Sequence, residues 1–595
     1  MAMQILIRHS LSHDTCRIPS IRMNSVPSRF FRLRGFSLFA AALALVPSLH
    51  AEVKMPAIFG DHMVLQQEQK VPVWGWADPG EKVTVIVGDH TGSATADDKG
   101  KWRIDLAPFP PNAATLNMIV MGKNMITFED VLIGDVWLAS GQSNMEFNIH
   151  DSHNFTDVTG HLDDQEMRVF QADHTYAVDP TSDIKGHWAV ASQDSLVSFS
   201  AVAYFFSREL RGHLNRPIGL VDSCFGGTVA QAWTSISGLQ KDPPFTAYVD
   251  AHNKMAAALP AMLDGFADQQ IAFQKAFDEW RDKDETDYWK IWAAWTLQAQ
   301  KNRIAGQPVP PEPHFDHPPP HQPPDPYGGP NTPGNLFNGM IAPLIPFAIK
   351  GVIWYQGEYN VGDAAEYRTL FPRLITDWRE KWGQGDFPFL FVQIAALGDR
   401  GLVGGGGWPL LQEAQFMTRS LPNTGMATAI DIGDPNGVHP ADKLDVGIRL
   451  SLLARHLVYG ENLVDTGPIF DKMTVEGNAA RISFTGLGSG LVIGKAPWTA
   501  PDAYPIPTDK LVGFVIAGAD QKFAVADAKI DGNTVVVSSP QVPNPVAVRY
   551  DFANLTIANL YNKEGLPAFP FRTDKWDAVN SPTVAPQMVP PKPSP

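Results

Sequence analysis

Apolar residues follow two rhythms along this 595-residue chain. From Val53 to Phe128 they alternate with polar residues, as in Val71-Pro-Val-Trp-Gly-Trp and Lys82-Val-Thr-Val-Ile-Val. Such alternation, rich in β-branched residues, predicts half-buried strands. The cluster Asp97-Asp98-Lys99-Gly100 predicts a turn ahead of a further alternating run at Trp102. From Asp130 to Gly460 the rhythm changes. Short continuous apolar runs at Val131–Ala139, Ile218–Ser223, Gly351–Tyr355, Phe389–Ile394 and Met426–Ile430 alternate with helical stretches. Runs that are apolar at every position predict parallel strands covered on both faces. Sites in such sheets lie outside the carboxyl ends of the strands. Ser143, Gly227 and the Gln356-Gly357-Glu358 segment follow these runs closely, and His439 lies beyond one on a loop containing Pro and Gly. Alternation returns at Ala479–Phe484, Leu511–Ala517 and Thr534–Ser538, with a turn at Asp531-Gly532-Asn533, which predicts a second β module over Ile469–Trp576.

The expected organisation is an N-terminal β-sandwich module at 52–129, an α/β domain at 130–460 and a C-terminal β module at 461–582. The length exceeds what one core usually supports. The α/β domain carries an insertion at about 240–335. Within it Lys254–Ile304 is strongly helical, with Phe266, Phe273, Phe277 and Trp280 near heptad spacing. A helical hairpin packed on the body is expected there, ahead of a dimerising coil. Gln307–Pro333 is Pro-rich and expected to be extended and exposed. Residues 583–595, also Pro-rich, are expected to be disordered. The β modules are expected to brace the α/β domain, glycan binding being the alternative.

The net charge of −16 disfavours nucleic acid as a partner, because phosphate binding needs a basic surface. Arg29, Arg32 and Arg34 precede a short apolar run at Phe36–Val46, the pattern of a secretory signal rather than a membrane span. Ala51 suits a cleavage site while Leu49 does not, and Met23 is an alternative start. Export to the periplasm or the exterior, without a membrane anchor, is therefore expected. Removal of residues 1–51, with six Arg and one acid, leaves a charge of −21. It also removes Cys16, so Cys224 is left without an intramolecular disulfide partner. Cys224 lies in an apolar run and reads as a packed thiol rather than a nucleophile.

The sharpest local feature is Gly134-Asp-Val-Trp-Leu-Ala-Ser-Gly-Gln-Ser-Asn-Met145, where an apolar run stops at Gly141 and Ser143 opens the next element. That pattern exposes a hydroxyl at the end of a buried strand, although an ordinary helix N-cap fits it as well. Trp354-Tyr-Gln-Gly-Glu358 and Asp434-Pro-Asn-Gly-Val-His-Pro440 add an acid and a His, in the order Ser, Glu, His. Ester hydrolysis needs such a nucleophile and base, with donors for the developing oxyanion.

With these motifs the chain resembles the sialate O-acetylesterase family of the SGNH-hydrolase superfamily, the carbohydrate-esterase branch with a Gly-Gln-Ser-Asn nucleophile motif. The resemblance runs from about Val53 to Trp576 through the blocks Gly134–Met145, Ile218–Ser235, Leu336–Lys350, Gly351–Glu358, Asp377–Gln393, Asp431–Lys443 and Asn559–Trp576. It implies an SGNH (flavodoxin-like) three-layer parallel-sheet hydrolase domain flanked by β-sandwich modules. It implies Ser143 as nucleophile and His439 as base, with oxyanion donors at the Ser143 and Gly227 N–H groups and the Gln356 amide. SGNH enzymes commonly carry Asp three residues before the His, where this chain has Asn436. Glu358 is the preferred substitute, matching the acid of related carbohydrate esterases, and Asp434 is the next candidate. The expected substrate is O-acetylated sialic acid. Acetylxylan or another acetylated glycan is the alternative, and a non-catalytic glycan-binding protein with a relict site is the rival of another class. An intact Ser143, Gln356, Glu358 and His439 favours an enzyme.

No cofactor is expected. His314, Asp316, His317 and His321 are metal-ligating residue types, but the intervening Pro residues break any helix that would align them, so no metal is expected. Gly404–Gly407 lacks the Lys of a phosphate-binding loop.

Overall fold

A computed structural model describes residues 52–397, 407–434, 437–494, 509–554 and 558–577. The predicted signal segment, Gly404–Gly406, Asn436 and the Pro-rich tail lie outside the described residues. The described residues pack into one unit through their own contacts.

The fold is organised by one long strand, Met125–Gly141, in which both rhythms of the sequence meet. Its first residues alternate between exposed and half-buried, and from Val131 onward every residue is buried. The alternating half pairs antiparallel with Asn112–Met121. The continuously apolar half pairs in parallel with Ile218–Cys224 on one side and Gly351–Tyr355 on the other. The strand therefore runs through the expected boundary at 129/130, and Val64–Gln66, Lys82–Val87, His90–Thr95 and Asn112–Met121 share an 11-stranded sheet with the central strands, while Val71–Trp76 and Lys101–Leu106 pair separately. One chain segment thus satisfies the backbone of strands on both sides of that boundary.

Across its central part the sheet order is Thr424–Thr428, Phe389–Gln393, Gly351–Tyr355, Met125–Gly141, Ile218–Cys224, Asp164–Ala172, Gly186–Ala191. All neighbours are parallel except the last pair. Trp137 faces Gly351 across the ladder, so Trp354, three residues on, points to the opposite side of the sheet. Trp137 meets Phe206 of helix Ala201–Leu214, edge to face at 5.0 Å. Trp354 meets Trp378 of helix Ala364–Trp382 in the same way at 5.7 Å. Helices thus cover both faces, which is why the strand runs are predominantly apolar.

The insertion contains three helices, Thr246–Leu263, Phe266–Lys283 and Glu285–Ile304, rather than a hairpin. Gly265, with φ of +74°, supplies the left-handed backbone that breaks the first from the second. Aromatic residues continue from one helix to the next, with Phe277, Trp280 and Tyr288 in successive ring contacts. The Pro-rich segment is held against them, since the indoles of Trp280 and Trp295 donate to the carbonyls of His317 and Pro311 at 3.0 and 2.8 Å.

The C-terminal β part has its own core around Ile482, Phe514, Ile516, Val535, Val537 and Tyr550. It is tied to the α/β part by polar contacts. Tyr561 donates to Asp431 at 3.0 Å, and Arg572 pairs with Glu413 at 2.7 Å. No described helix is long and apolar enough to cross a membrane.

Candidate active site

The strand Met125–Gly141 ends where a side chain is sterically forbidden. A β-carbon at Gly141, with φ of +138°, would lie 2.2 Å from the carbonyl oxygen of Tyr355 on the neighbouring strand. The chain then turns at once into the short helix Ser143–Glu146, which lifts Ser143 into a half-buried position at the strand end. Gln142 fixes the turn, since its side-chain oxygen accepts from the N–H groups of Gly357 and Tyr359 at 3.3 and 3.4 Å.

His439 comes from the loop between strand Thr424–Thr428 and helix Leu444–Leu457. Its Nε2 lies 2.7 Å from Ser143 Oγ. Burial pushes the His439 pKa below its ordinary value, the Lys443 ammonium adds to this, and Glu146 opposes it. The ring is held neutral and able to accept a proton.

The Gly226-Gly227 turn after strand Ile218–Cys224 closes the other side. A β-carbon at Gly226 would lie 3.3 Å from Ser143 Cβ, so the turn abuts the serine. Gly227 has φ of +69°, and its carbonyl accepts from Asn331 at 3.0 Å. Among the described residues neither the Ser143 N–H nor the Gly227 N–H is hydrogen-bonded. Unpaired backbone amides are the kind of donor that an oxyanion needs.

Gln356 differs from the expectation. It is fully buried, and its amide donates to Thr228 O at 3.1 Å and Asn360 Oδ1 at 2.7 Å, while its oxygen accepts from Tyr367 at 2.9 Å. Both amide hydrogens are committed inside the protein, so none remains for an oxyanion. Asn360, four residues on, and Tyr367 capture this side chain.

The two candidate acids do not meet the imidazole. Among the described residues the His439 ring hydrogen-bonds only Ser143. Glu358 Oε1 instead accepts from Asn144 Nδ2 at 2.6 Å. The Asp434 carbonyl accepts the Gly437 N–H at 3.3 Å. The buried groups that do line the site are Asn144 and Lys443, which sequence reasoning passes over. Asn144 reads as a cap, yet its amide also donates to Val438 O at 3.0 Å and its oxygen accepts from Lys443 Nζ at 2.6 Å. A signal for Lys443 exists: it sits at the N-cap of helix Leu444–Leu457, where the helix dipole disfavours a cation, so its place needs another reason. Beside them Glu146 pairs with His174 at 2.8 Å, which raises the His174 pKa. Cys224 is buried with its thiol pKa pushed up, a packed thiol. His314 and Asp316 stand in solvent 4.0 Å apart, and among the described residues no group of three or more ligating side chains could hold a metal.

This geometry coincides with what the chain is similar to. Residues 333–450, which include Gln356, Glu358, His439 and Lys443, match the family model described as carbohydrate esterase, sialic acid-specific acetylesterase. The sialate O-acetylesterase of Rattus norvegicus is 30% identical over 457 residues, spanning 69% of this chain and 75% of that protein. The chain belongs to the sialate O-acetylesterase family. Its members are carboxylic ester hydrolases, and the Homo sapiens sialate O-acetylesterase is 29% identical over 472 residues, 73% of this chain and 76% of that one. The similarity extends to a solved structure. A carbohydrate acetylesterase from Xanthomonas citri is 33% identical, with a TM-score of 0.70, covering 88% of this chain and all (100%) of the other. The family member described here combines a large mixed sheet, covered by helices, with several smaller β sheets.

Proposed function

We propose that the chain hydrolyses O-acetyl esters of sialic acid through an acetyl-enzyme on Ser143. The observation that carries this is the 2.7 Å hydrogen bond between Ser143 Oγ and His439 Nε2. Ser143 Oγ attacks the acetyl carbonyl carbon while His439 takes its proton. The Ser143 and Gly227 N–H groups hold the oxyanion. The imidazolium of His439 then protonates the departing sugar oxygen as its bond to the acetyl carbon breaks, which releases the sugar hydroxyl and leaves the acetyl-enzyme. Water attacks the acetyl-enzyme with His439 again as base, releasing acetate and restoring the serine.

In the same reading the parallel sheet, covered on both faces, is the three-layer SGNH, flavodoxin-like hydrolase domain. The flanking β parts are sandwich modules that brace it, and residues 1–51 direct export to the periplasm or exterior. The relatives' sialic acid specificity favours that substrate over xylan. Acetate release measured side by side on O-acetylated sialic acid and acetylated xylan is the test. Faster turnover of the sialic acid ester is expected, and a preference for xylan would overturn the substrate while leaving the esterase chemistry in place.

A further inference from the structure

We propose that Asn144 and Lys443 form a clamp that sets the Ser143–His439 hydrogen bond, and that Glu358 acts through this clamp rather than on the imidazole. The inference rests on the reading of Ser143 as nucleophile and His439 as base. Asn144 is fully buried and is the residue next to Ser143. One of its amide hydrogens goes to Val438 O, the carbonyl immediately before His439. The other goes to Glu358 Oε1. Its oxygen takes Lys443 Nζ, four residues after His439. The loop that carries His439 is thus gripped on both sides of the histidine by one side chain, and that side chain moves with the serine. Every hydrogen of the Asn144 amide is used, which leaves it a single orientation.

Lys443 is fully buried and sits 4.8 Å from the centre of the Phe147 ring and 5.3 Å from that of Tyr355. Aromatic faces and a nearby carboxylate are what a desolvated ammonium needs. Glu358 Oε2 is buried with no hydrogen-bond partner among the described residues, so its charge depends on Lys443 and Asn144. Burial lowers the Lys443 pKa to about 7 and raises that of Glu358, each opposed by the other's charge. The clamp therefore has an electrostatic signature at the histidine, because Lys443 disfavours imidazolium. Glu146 opposes it. Glu146 is itself paired with His174, and Lys443 feels the charges of Glu358 and Asp442.

The experiment compares full-length wild type with Lys443→Met, Asn144→Ala and the double variant Lys443→Met/Glu358→Gln. It measures kcat, KM and the pH profile of kcat/KM on an activated acetate ester. A misplacement of about 1 Å costs roughly a hundredfold in rate, so Asn144→Ala should lower kcat by about that factor with KM little changed. Lys443→Met should lower kcat and move the acid limb of kcat/KM upward by roughly half a pH unit or more, because imidazolium no longer faces a neighbouring cation. If Lys443→Met leaves Glu358 unpaired and fails to fold, the double variant has no lone buried charge and should melt nearer the wild type. It should still show the low kcat and the raised limb. A wild-type kcat and wild-type acid limb in the folded Lys443 variants would overturn the clamp. Labelling of Ser143 by a fluorophosphonate in the same samples keeps the two readings apart: its absence from the wild type would instead overturn Ser143 as nucleophile.

Discussion

Replacing Gln356 with Ala separates two roles that predict opposite results. As an oxyanion donor, its loss would cost roughly a hundredfold or more in kcat and little stability. The structure makes it a buried tie instead, joined to Thr228, Asn360 and Tyr367. In Gln356→Ala, Asn360 Oδ1 keeps the Ala230 N–H at 2.9 Å, and the Tyr367 hydroxyl keeps the carbonyl of residue 356 at 3.3 Å. Thr228 O loses its side-chain donor. One orphaned acceptor, two further lost hydrogen bonds and the cavity left by the amide together cost about 4 kcal/mol. Because the N–H groups of Ser143 and Gly227 remain, kcat should fall less than about tenfold. The assay is a urea unfolding curve followed by circular dichroism, with turnover measured in the absence of urea. A variant with an unchanged unfolding midpoint and a kcat lowered a hundredfold would refute the buried tie and return Gln356 to the oxyanion.

Three other outcomes are expected from contacts around the site. Gly226→Ala places a β-carbon 2.9 Å from Glu146 Oε2 and 3.3 Å from Ser143 Cβ, so kcat should drop by roughly tenfold or more while the melting curve moves little. The acid limb of kcat/KM should lie below pH 6.5, since burial and Lys443 both favour the neutral imidazole that acts as base; a limb above that value in the wild type would contradict this sign. Tyr561→Phe removes the hydroxyl that reaches Asp431, which Arg449 holds in a two-pronged pair at 2.6 and 2.8 Å, and should cost about 1 kcal/mol in urea unfolding without loss of the esterase.

The strands that position the site were legible because burial on both faces makes most of their positions apolar, with few exceptions such as Asp135 and Asp222. Ile218–Ser223, Gly351–Tyr355 and Phe389–Ile394 coincide with strands of the central sheet to within a residue, Met426–Ile430 lies two residues late against Thr424–Thr428, and Val131–Ala139 falls inside the longer strand Met125–Gly141. The alternation before Val131 belongs to the same strand, and composition alone cannot tell a change of partner from a change of domain. Ser143 and His439 stood out by their motifs, and the structure brings them within hydrogen-bonding distance across 296 positions of sequence. The direction of Gln356 did not stand out, because Asn360 and Tyr367 decide it from another helical turn. Nor did the partner of Glu358, because Asn144 reads as a cap until Val438 and Lys443 are folded against it. In the insertion, heptad-like aromatics signalled helix, but Gly265 sets the number of helices and is a single residue among strong helix formers.

Central to the proposed chemistry are Ser143 as nucleophile and His439 as its base. Peptide mapping after treatment with a serine-directed fluorophosphonate tests both most directly. One adduct is expected, on the peptide holding Ser143, formed at a rate that falls as pH drops through the His439 pKa. Adduct and turnover should both be lost in Ser143→Ala with the fold intact. An adduct on another residue, or normal turnover by Ser143→Ala, would contradict the assignment.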